Sequence, residues 1–220
     1  LLRAVEIMKI LLNRNYDSFI IGSAVRNLYL NKQIDTIEIV TIATFEQIKS
    51  IFPSVITEKN GLIYLKEHGK FIVFSKFSEE ENNIAKKFSL RHYNKKLIVT
   101  LCSKYYTVNS LALTPNLVIT NIFDGIMDLD DMVVKTIDKP KNLYPKHPIA
   151  IMEALILVAE NNFTIDPKCL KSISKYCSFL EDIKEIEFIR KFRQILKGPY
   201  AKQALAVIIK NKLFRFIKVY

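Results

Sequence analysis

The sequence predicts an α+β fold in its first 140 residues and an all-helical fold after them. Short β-rich runs alternate with helix-forming segments up to Pro140; after that residue the β-branched runs stop and helical periodicity continues to the end. We therefore expect two domains, residues 1–140 and 141–220, with a boundary within 138–147. A chain of 220 residues is long enough to bury a sizeable core.

Five elements are expected in the first quarter of the chain. Apolar residues on one helical face predict a first helix that ends near Asn13. β-rich runs at 19–21 and 37–40 predict two strands, and the composition of 24–30 between them favours a helix. Thr44 is a suitable N-cap for a helix that runs through Ile51 and stops at Pro53.

The remaining elements follow from the same patterns. Strands are expected at 62–65 and 71–74, joined by His68 and Gly69. The charged and amide residues of 77–96 indicate an exposed loop or a frayed helix. Order is expected to resume at 97–101, followed by a short helix around 107–111 and a strand at 117–122, and "FDGIMDLDDMVVKTI" indicates a turn, a helical turn and a strand. After Pro140 we expect helices at 148–160, 167–178, 182–196 and 200–214.

The net charge of +11 is concentrated near the C-terminus. Residues 188–220 contain nine basic side chains and no acid, and so supply +9 of that charge. One-sided charge of this kind suits a polyanion, most plausibly nucleic acid, although a solvated lysine-rich surface is the alternative. The candidate RNA-binding residues are Arg190, Lys191, Arg193, Lys197, Lys202, Lys210, Lys212 and Arg215.

The cysteines, an uncharged stretch and the N-terminus indicate which metal sites and which cellular compartments to expect. Three cysteines without a C-x-x-C pair argue against zinc ligation and a disulfide framework, and favour a reducing compartment. Residues 105–123 carry no charge, but Asn109, Pro115 and Asn116 interrupt them, so no membrane span is expected. The chain begins at Leu1 without a signal peptide, which predicts a cytoplasmic protein, or an organellar matrix protein if a leader is missing.

The stretch "FIIGSAVRNLYLNKQIDTIEIVT" has the pattern of a nucleotide-handling site. Gly22 and Ser23 form a turn between a strand and a helix start, where backbone N–H groups can hold an anionic group. Arg26, one turn further on, offers a two-pronged donor for a phosphate, although a structural salt bridge is an equal alternative. Acids at alternate positions of the next strand would share one face and could hold a divalent metal.

These segments resemble the head and neck domains of the class II CCA-adding tRNA nucleotidyltransferase and bacterial poly(A) polymerase family. Gly22, Val25 and Arg26 match the family's Gly-Gly-x-Val-Arg-Asp turn, while Ser23 and Asn27 depart from it. Four later segments follow the family's motifs in the correct order: "YTVNSLAL", "NIFDGIMDLDDMVVKTI", "HPIAIMEALILVAENNFTIDP" and "FRQILKGPYAKQAL". The resemblance implies a mixed sheet with flanking helices, followed by a helical neck domain.

The departures fall on the residues that carry the family's chemistry. The family's two metal-binding Asp positions fall on Thr36 and Glu38, and Asp35 lies next to them on the opposite face of the strand. Of the family's Arg-Arg-Asp element only Lys104 keeps a charge, and the family's Arg positions in the neck are occupied by Ala150, Glu153 and Ile156. The resemblance therefore leaves Glu38 as the one candidate metal ligand, and implies Mg²⁺ only if the protein is active.

The sequence thus favours a pseudoenzyme that binds RNA or has a structural role, for example within a ribonucleoprotein such as a ribosome. The resemblance makes Gly22, Ser23, Arg26, Lys104 and Asn109 the candidate nucleotide-binding residues. The first alternative is an active, divergent nucleotidyltransferase that uses Glu38 with Asp35 and Mg²⁺ on RNA 3′ ends, with RNA supplied by a partner subunit. The second is a protein scaffold without RNA contact. Tyr105 and Tyr106 could stack a base, with core packing the expected role of Tyr106.

Overall fold

A computed structural model describes residues 1–53, 56–59, 62–67, 70–78 and 94–216. The chain divides into two compact units. The first unit contains Leu1–Lys104 and Val108–Gly125, and the second contains Tyr105–Thr107 and Ile126–Tyr220. The predicted turn at His68 and Gly69, and most of the predicted loop at 77–96, lie outside the described residues.

The first unit is built on a mixed sheet, which confirms the predicted α+β class. Its described strands run in the order β3-β4-β5-β2-β1-β6-β7. β1 and β2 are antiparallel neighbours, whereas β2 and β5 are parallel. The strands are β1 Ser18–Ile21, β2 Thr36–Thr41, β3 Ile56–Lys59, β4 Leu62–Glu67, β5 Lys70–Lys76, β6 Ala112–Leu113 and β7 Ile119–Thr120.

Within the described residues, four helices accompany this sheet. The sequence predicts the first three, whereas for the fourth it predicts only that order resumes at 97–101. The four helices are α1 Leu2–Leu12, α2 Ser23–Tyr29, α3 Phe45–Ile51 and α4 Lys95–Cys102. Thr44 caps α3 as expected: its hydroxyl accepts from the Gln47 backbone N–H while the Gln47 side chain accepts from the Thr44 backbone N–H, so two donors of the first turn are satisfied. The strand expected at 117–122 is present but shorter, as β7, because it pairs only with the two residues of β6.

The second unit is mainly helical. After α5 Gly125–Asp130 and the short α6 Pro140–Leu143, it contains α7 Ile149–Asn161, α8 Pro167–Tyr176, α9 Glu185–Lys197 and α10 Ala201–Lys210, with β8 Val133–Val134 pairing in parallel with β9 Thr164–Ile165. α7 is buried along nearly its whole length and packs against α9 and α10. A helix apolar on all sides needs neighbours on all sides, and this explains its central position in the unit.

The two units separate at Gly125 and Ile126, earlier than the predicted domain limit at residue 140. Residues 126–140 belong to the second unit because β8 within them pairs with β9. In addition, the Thr107 backbone N–H donates to the Lys135 carbonyl over 3.0 Å. No helix among the described residues is long and apolar enough to cross a membrane.

Candidate functional site

Gly22 forms the turn between β1 and α2. Its φ of 76° and ψ of −140° place it in a region that only glycine adopts readily. The Gly22 backbone N–H donates to the Leu111 carbonyl, and the Gly22 carbonyl accepts from the backbone N–H groups of Val25 and Arg26. Ser23 follows with an exposed side chain. The sequence-predicted turn is therefore present, and it lies at the end of the central strand pair.

Arg26 points into the protein. Its side chain is 4% exposed, its Nη1 donates to Asn109 Oδ1 over 2.5 Å, and its Nε donates to Asn27 Oδ1 over 3.1 Å. The Asn27 amide in turn donates to the Gln33 carbonyl over 3.1 Å. These bonds tie α2 to the segment that precedes β6. The structure thus joins Arg26 and Asn109 in one partly buried network of hydrogen bonds.

Glu38 lies in the middle of β2, between β1 and β5. It stands opposite Ile21 on β1 and opposite Val73 on β5. Glu38 Oε2 accepts from Lys104 Nζ over 2.7 Å, and Glu38 Oε1 accepts from Ser75 Oγ over 3.0 Å. Both charged side chains are partly buried, 24% exposed for Lys104 and 33% for Glu38. The carboxylate is therefore neutralised by an ammonium group of its own chain.

The same pair lies against the glycine turn. A Cβ placed on Gly22 would be 3.9 Å from Glu38 Oε2 and 4.0 Å from Lys104 Cε. The fold thus brings together three of the sequence-predicted residues: Gly22, Glu38 and Lys104. Sequence reasoning missed Ser75, because only the parallel pairing of β5 with β2 makes it a neighbour of Glu38. Its position within a β-rich run after "FIVF" was the available signal.

Asp35 and Thr36 lie at the start of β2 with exposed side chains. Thr36 and Glu38 alternate along the strand and share a face, as the register predicts. Asp35 precedes the strand, and its Oδ1 accepts from Gln33 Nε2 over 2.6 Å. An active transferase would use Glu38 and Asp35 as metal ligands. Glu38 is paired with Lys104, and Asp35 lies outside β2.

The donor set does not fit the pair of Mg²⁺ ions that the resemblance implies. Each Mg²⁺ ion in such sites is bound through one or two carboxylates together with waters and substrate phosphates. Here the shared face of β2 offers a threonine hydroxyl and one carboxylate already bound to an ammonium. Within the described ranges, no group of three His, Cys, Asp or Glu side chains could hold a metal ion.

Most of the predicted basic residues of the second unit are exposed. Arg190, Arg193 and Lys197 on α9 are exposed, as are Lys202, Lys210, Lys212 and Arg215 further along the chain. Lys191 differs from them. Its Nζ bonds to Glu153 Oε1 on α7, and the two side chains are 15% and 27% exposed. Its charge is compensated inside the helical packing.

Tyr106 belongs to the core of the second unit, as its expected packing role requires. It is fully buried, and its hydroxyl donates to the Ala150 carbonyl over 2.6 Å. Burial, reinforced by the neighbouring Tyr144, raises the pKa of Tyr106 well above its usual value. Burial likewise raises the pKa values of Tyr144 and Cys169. The Tyr105 ring lies 5.5 Å from the His147 ring within the same unit.

The mixed sheet, the glycine turn at its edge and the carboxylate on the adjacent strand define a nucleotidyltransferase-type head domain. Residues 18–135 match the family described as the poly A polymerase head domain, and this match covers more than half of the chain. The chain therefore belongs to that family. The recognition made from the sequence motifs is confirmed.

Relatives and solved structures agree with this assignment. The CCA-adding enzyme of Bacillus subtilis is 24% identical over 216 residues, which are 97% of this chain and 54% of that enzyme. The CCA-adding enzyme of Leuconostoc citreum is 26% identical over 220 residues, 98% of this chain and 54% of that enzyme. The structure of the Bacillus stearothermophilus CCA-adding enzyme in complex with CTP superposes with a TM-score of 0.80 at 23% identity, covering 96% of this chain and 52% of that one. This chain thus spans about half the length of the proteins it resembles.

Proposed function

We propose that this protein is a nucleotidyltransferase-family pseudoenzyme that binds RNA and does not transfer nucleotides. The observation that carries the proposal is the Lys104–Glu38 ion pair, in which an ammonium group takes up the charge of the only carboxylate on the shared face of β2. Two-metal transfer needs carboxylates that bind the ions which activate the attacking and leaving oxygens. A carboxylate neutralised by lysine cannot supply that charge while the pair is intact.

The RNA-binding part of the proposal depends on the second unit. From Phe188 onward the sequence has no acidic side chain, and its predicted basic residues, with the exception of Lys191, are exposed. Counterion release from a polyanion by several cations gives affinity without sequence specificity. The relatives are CCA-adding enzymes, and one solved structure of similar fold is a tRNA nucleotidyltransferase complexed with a primer tRNA. We therefore propose tRNA or rRNA as the partner, held directly or within a ribonucleoprotein.

A nucleotide-incorporation assay tests the catalytic part. The purified protein is incubated with tRNA that lacks its 3′ end, with labelled ATP or CTP, and with Mg²⁺ or Mn²⁺. We expect no incorporation above that of the Glu38→Gln variant, because the carboxylate is already compensated. Incorporation that Glu38→Gln abolishes would establish the alternative, an active divergent transferase.

Filter binding across a salt series tests the RNA part separately. We expect the affinity for tRNA to fall steeply as salt rises, because released counterions drive the association. Weak binding that is independent of salt would reject RNA as the partner and leave the protein scaffold as the remaining function. The two assays use the same protein, so a failure of one part is distinguished from a failure of the other.

A further inference from the structure

We propose that the RNA backbone is bound along one face of α9, where Arg190, Arg193 and Lys197 contact successive phosphates. This inference rests on the proposed RNA-binding function and assigns it to one surface. The three residues are called the α9 stripe below. They are a minority of the basic residues in the second unit, so the proposal separates them from the others.

Helical geometry places the α9 stripe on a single face. Its residues are three and four positions apart, so they lie over one another on successive turns. Their Cα atoms rise by about 4.5 Å and then about 6 Å along the axis, which suits the steps of an extended phosphate backbone. The opposite face carries Phe188 and Ile195, both buried, and this packing fixes the stripe towards solvent.

The charges of the stripe are little compensated. Arg193 and Lys197 form no ion pair within the described part of the chain. Arg190 lies 3.8 Å from Glu187, but both side chains are well exposed, so this contact contributes little. Glu160, at the same surface, accepts a hydrogen bond from Gln194 over 2.7 Å. Lys191 is excluded from the stripe because it is bound to Glu153 on the opposite side of α9.

The α9 stripe borders a depression in the surface of the second unit. A cavity of about 660 Å³ is lined by the three cations and one acid, Glu160, together with Ile186, Ile189 and Pro199. Ile186 is 86% exposed, so the depression offers bare apolar surface beside the cations. Apolar surface next to guanidinium groups can contact sugars and base faces while the charges hold the phosphates.

Extended RNA explains this surface better than an acidic peptide. Exposed cations follow the stripe in the sequence, at Lys202, Lys210, Lys212 and Arg215, and no acid interrupts them there. A second depression of about 430 Å³ is lined by the last three of these residues. Positive charge that extends past the groove suits a polyanion longer than the groove, and arginine forks match phosphate geometry.

The same unit supplies a matched control. Lys168, Lys171 and Lys175 on α8 are also exposed and show the same spacing of three and four residues. Their surroundings differ: within residues 166–182 the three lysines are balanced by Asp166, Glu181 and Asp182. An alanine triple on α8 therefore removes the same number of charges from a locally neutral segment.

Fluorescence anisotropy with a labelled tRNA tests the assignment. The unsubstituted protein, the Arg190→Ala/Arg193→Ala/Lys197→Ala variant and the α8 triple alanine variant are titrated over a salt series. We expect the stripe variant to lose about 2 from the slope of log K against log salt, since each phosphate contact on a single strand contributes about 0.7. The α8 variant should keep the original slope. Equal thermal unfolding of the three proteins by circular dichroism shows that folding is unaffected.

The outcomes separate this proposal from the one on which it rests. Normal salt-dependent RNA binding by the stripe variant, or an equal loss in both variants, overturns the α9 assignment while RNA binding stands. Failure of the unsubstituted protein to bind RNA rejects both. Tighter binding of polyglutamate than of tRNA, lost in the stripe variant, shows that the face takes an acidic protein instead. An Arg190→Lys/Arg193→Lys variant should retain the slope, because it keeps the charge.

Discussion

Lys104 supplies the positive charge that pairs with Glu38, and its side chain packs beside the Gly22 turn. Its ammonium group lies 2.7 Å from Glu38 Oε2, and its aliphatic chain lies beside the Gly22 turn. In the resembling family the corresponding element is rich in arginine and binds the nucleotide, whereas here the remaining cation binds its own chain. Lys104 and Glu38 therefore form an ion pair within the first unit, beside the turn at Gly22.

Removing Lys104 tests how much this ion pair stabilises the fold. Lys104→Met leaves the partly buried Glu38 carboxylate with Ser75 as its remaining side-chain partner, so we expect the free energy of unfolding to fall by about 1–3 kcal/mol. Urea denaturation measures this change. Lys95→Met, at the exposed start of α4, is the control and should stay within about 0.5 kcal/mol.

A double-mutant cycle then isolates the pair itself. In Lys104→Met/Glu38→Gln the unpaired charge is gone, so the combined loss should be smaller than the sum of the single losses by about 1 kcal/mol. Strict additivity would mean that the two side chains do not stabilise each other.

Gly22→Ala tests whether the backbone conformation of the turn, rather than a steric clash with the added Cβ atom, requires glycine. The added Cβ has room, since the nearest atoms are 3.9 Å and 4.0 Å away, but φ of 76° disfavours any side chain. We expect a loss of about 1–3 kcal/mol in the free energy of unfolding, measured in urea. Ser23→Ala, one residue later and exposed, should change it by less than about 0.5 kcal/mol. Equal effects of the two substitutions would contradict the backbone explanation.

Among helices and strands, Gly198 shows how closely two elements approach. It follows α9, and a Cβ there would lie 2.5 Å from the carbonyl oxygen of Ala159 on α7. The same carbonyl accepts from the Tyr200 backbone N–H over 2.8 Å, which joins the α9–α10 turn to α7. The contact is made by main-chain atoms, so the neighbour cannot move away without breaking the turn.

Gly198→Ala should therefore destabilise the second unit even though its φ suits any residue. We expect a loss of about 1–3 kcal/mol from overpacking. Thermal or urea unfolding followed by circular dichroism measures it. Pro199→Ala, at an exposed neighbouring position, is the comparison, and a similar loss there would show that the turn is sensitive for another reason.

The sequence predicted the limits of helices well where a single capping residue marks the end of the helix. Thr44 indicated the start of α3 and Asn13 the end of α1, and both are found there. The short strands β3, β6 and β9 were not predicted, because two to four residues carry too little periodicity. The pairing of Glu38 with Ser75 and Lys104 joins residues far apart in the chain, and no local pattern contains that information.

At the scale of the whole molecule, the core of the second unit holds three buried ionisable groups whose pKa burial raises. Tyr106, Tyr144 and Cys169 all belong to it, and burial raises the pKa of each. Tyr106 and Tyr144 lie hydroxyl to hydroxyl at 3.4 Å, and the Cys169 thiol lies 3.7 Å from the Thr136 hydroxyl. This core holds each of the three in its protonated form.

These raised pKa values make the folded chain less stable at alkaline pH. Below about pH 7.5 the three groups are protonated in both the folded and the unfolded chain, so their contribution to stability is complete. As pH rises through the ordinary values of cysteine and then tyrosine, about 9 and 10, the unfolded chain ionises while the folded chain does not. Stability is therefore lost on the alkaline side, by up to about 1.4 kcal/mol per pH unit for each group.

Urea unfolding at pH 7.5, 9.5 and 10.5 measures this loss. The free energy of unfolding should be flat to about pH 7.5 and then fall with increasing slope. Tyr144→Phe removes one of the three ionisations while Tyr106 keeps its bond to the Ala150 carbonyl, so its slope above pH 10 should be shallower by about 1.4 kcal/mol per pH unit. Tyr16→Phe, at a position that is not buried, is the control and should keep the original slope. Equal slopes in the Tyr144→Phe variant and the unsubstituted protein would mean that the Tyr144 hydroxyl ionises as readily in the folded chain as in the unfolded one.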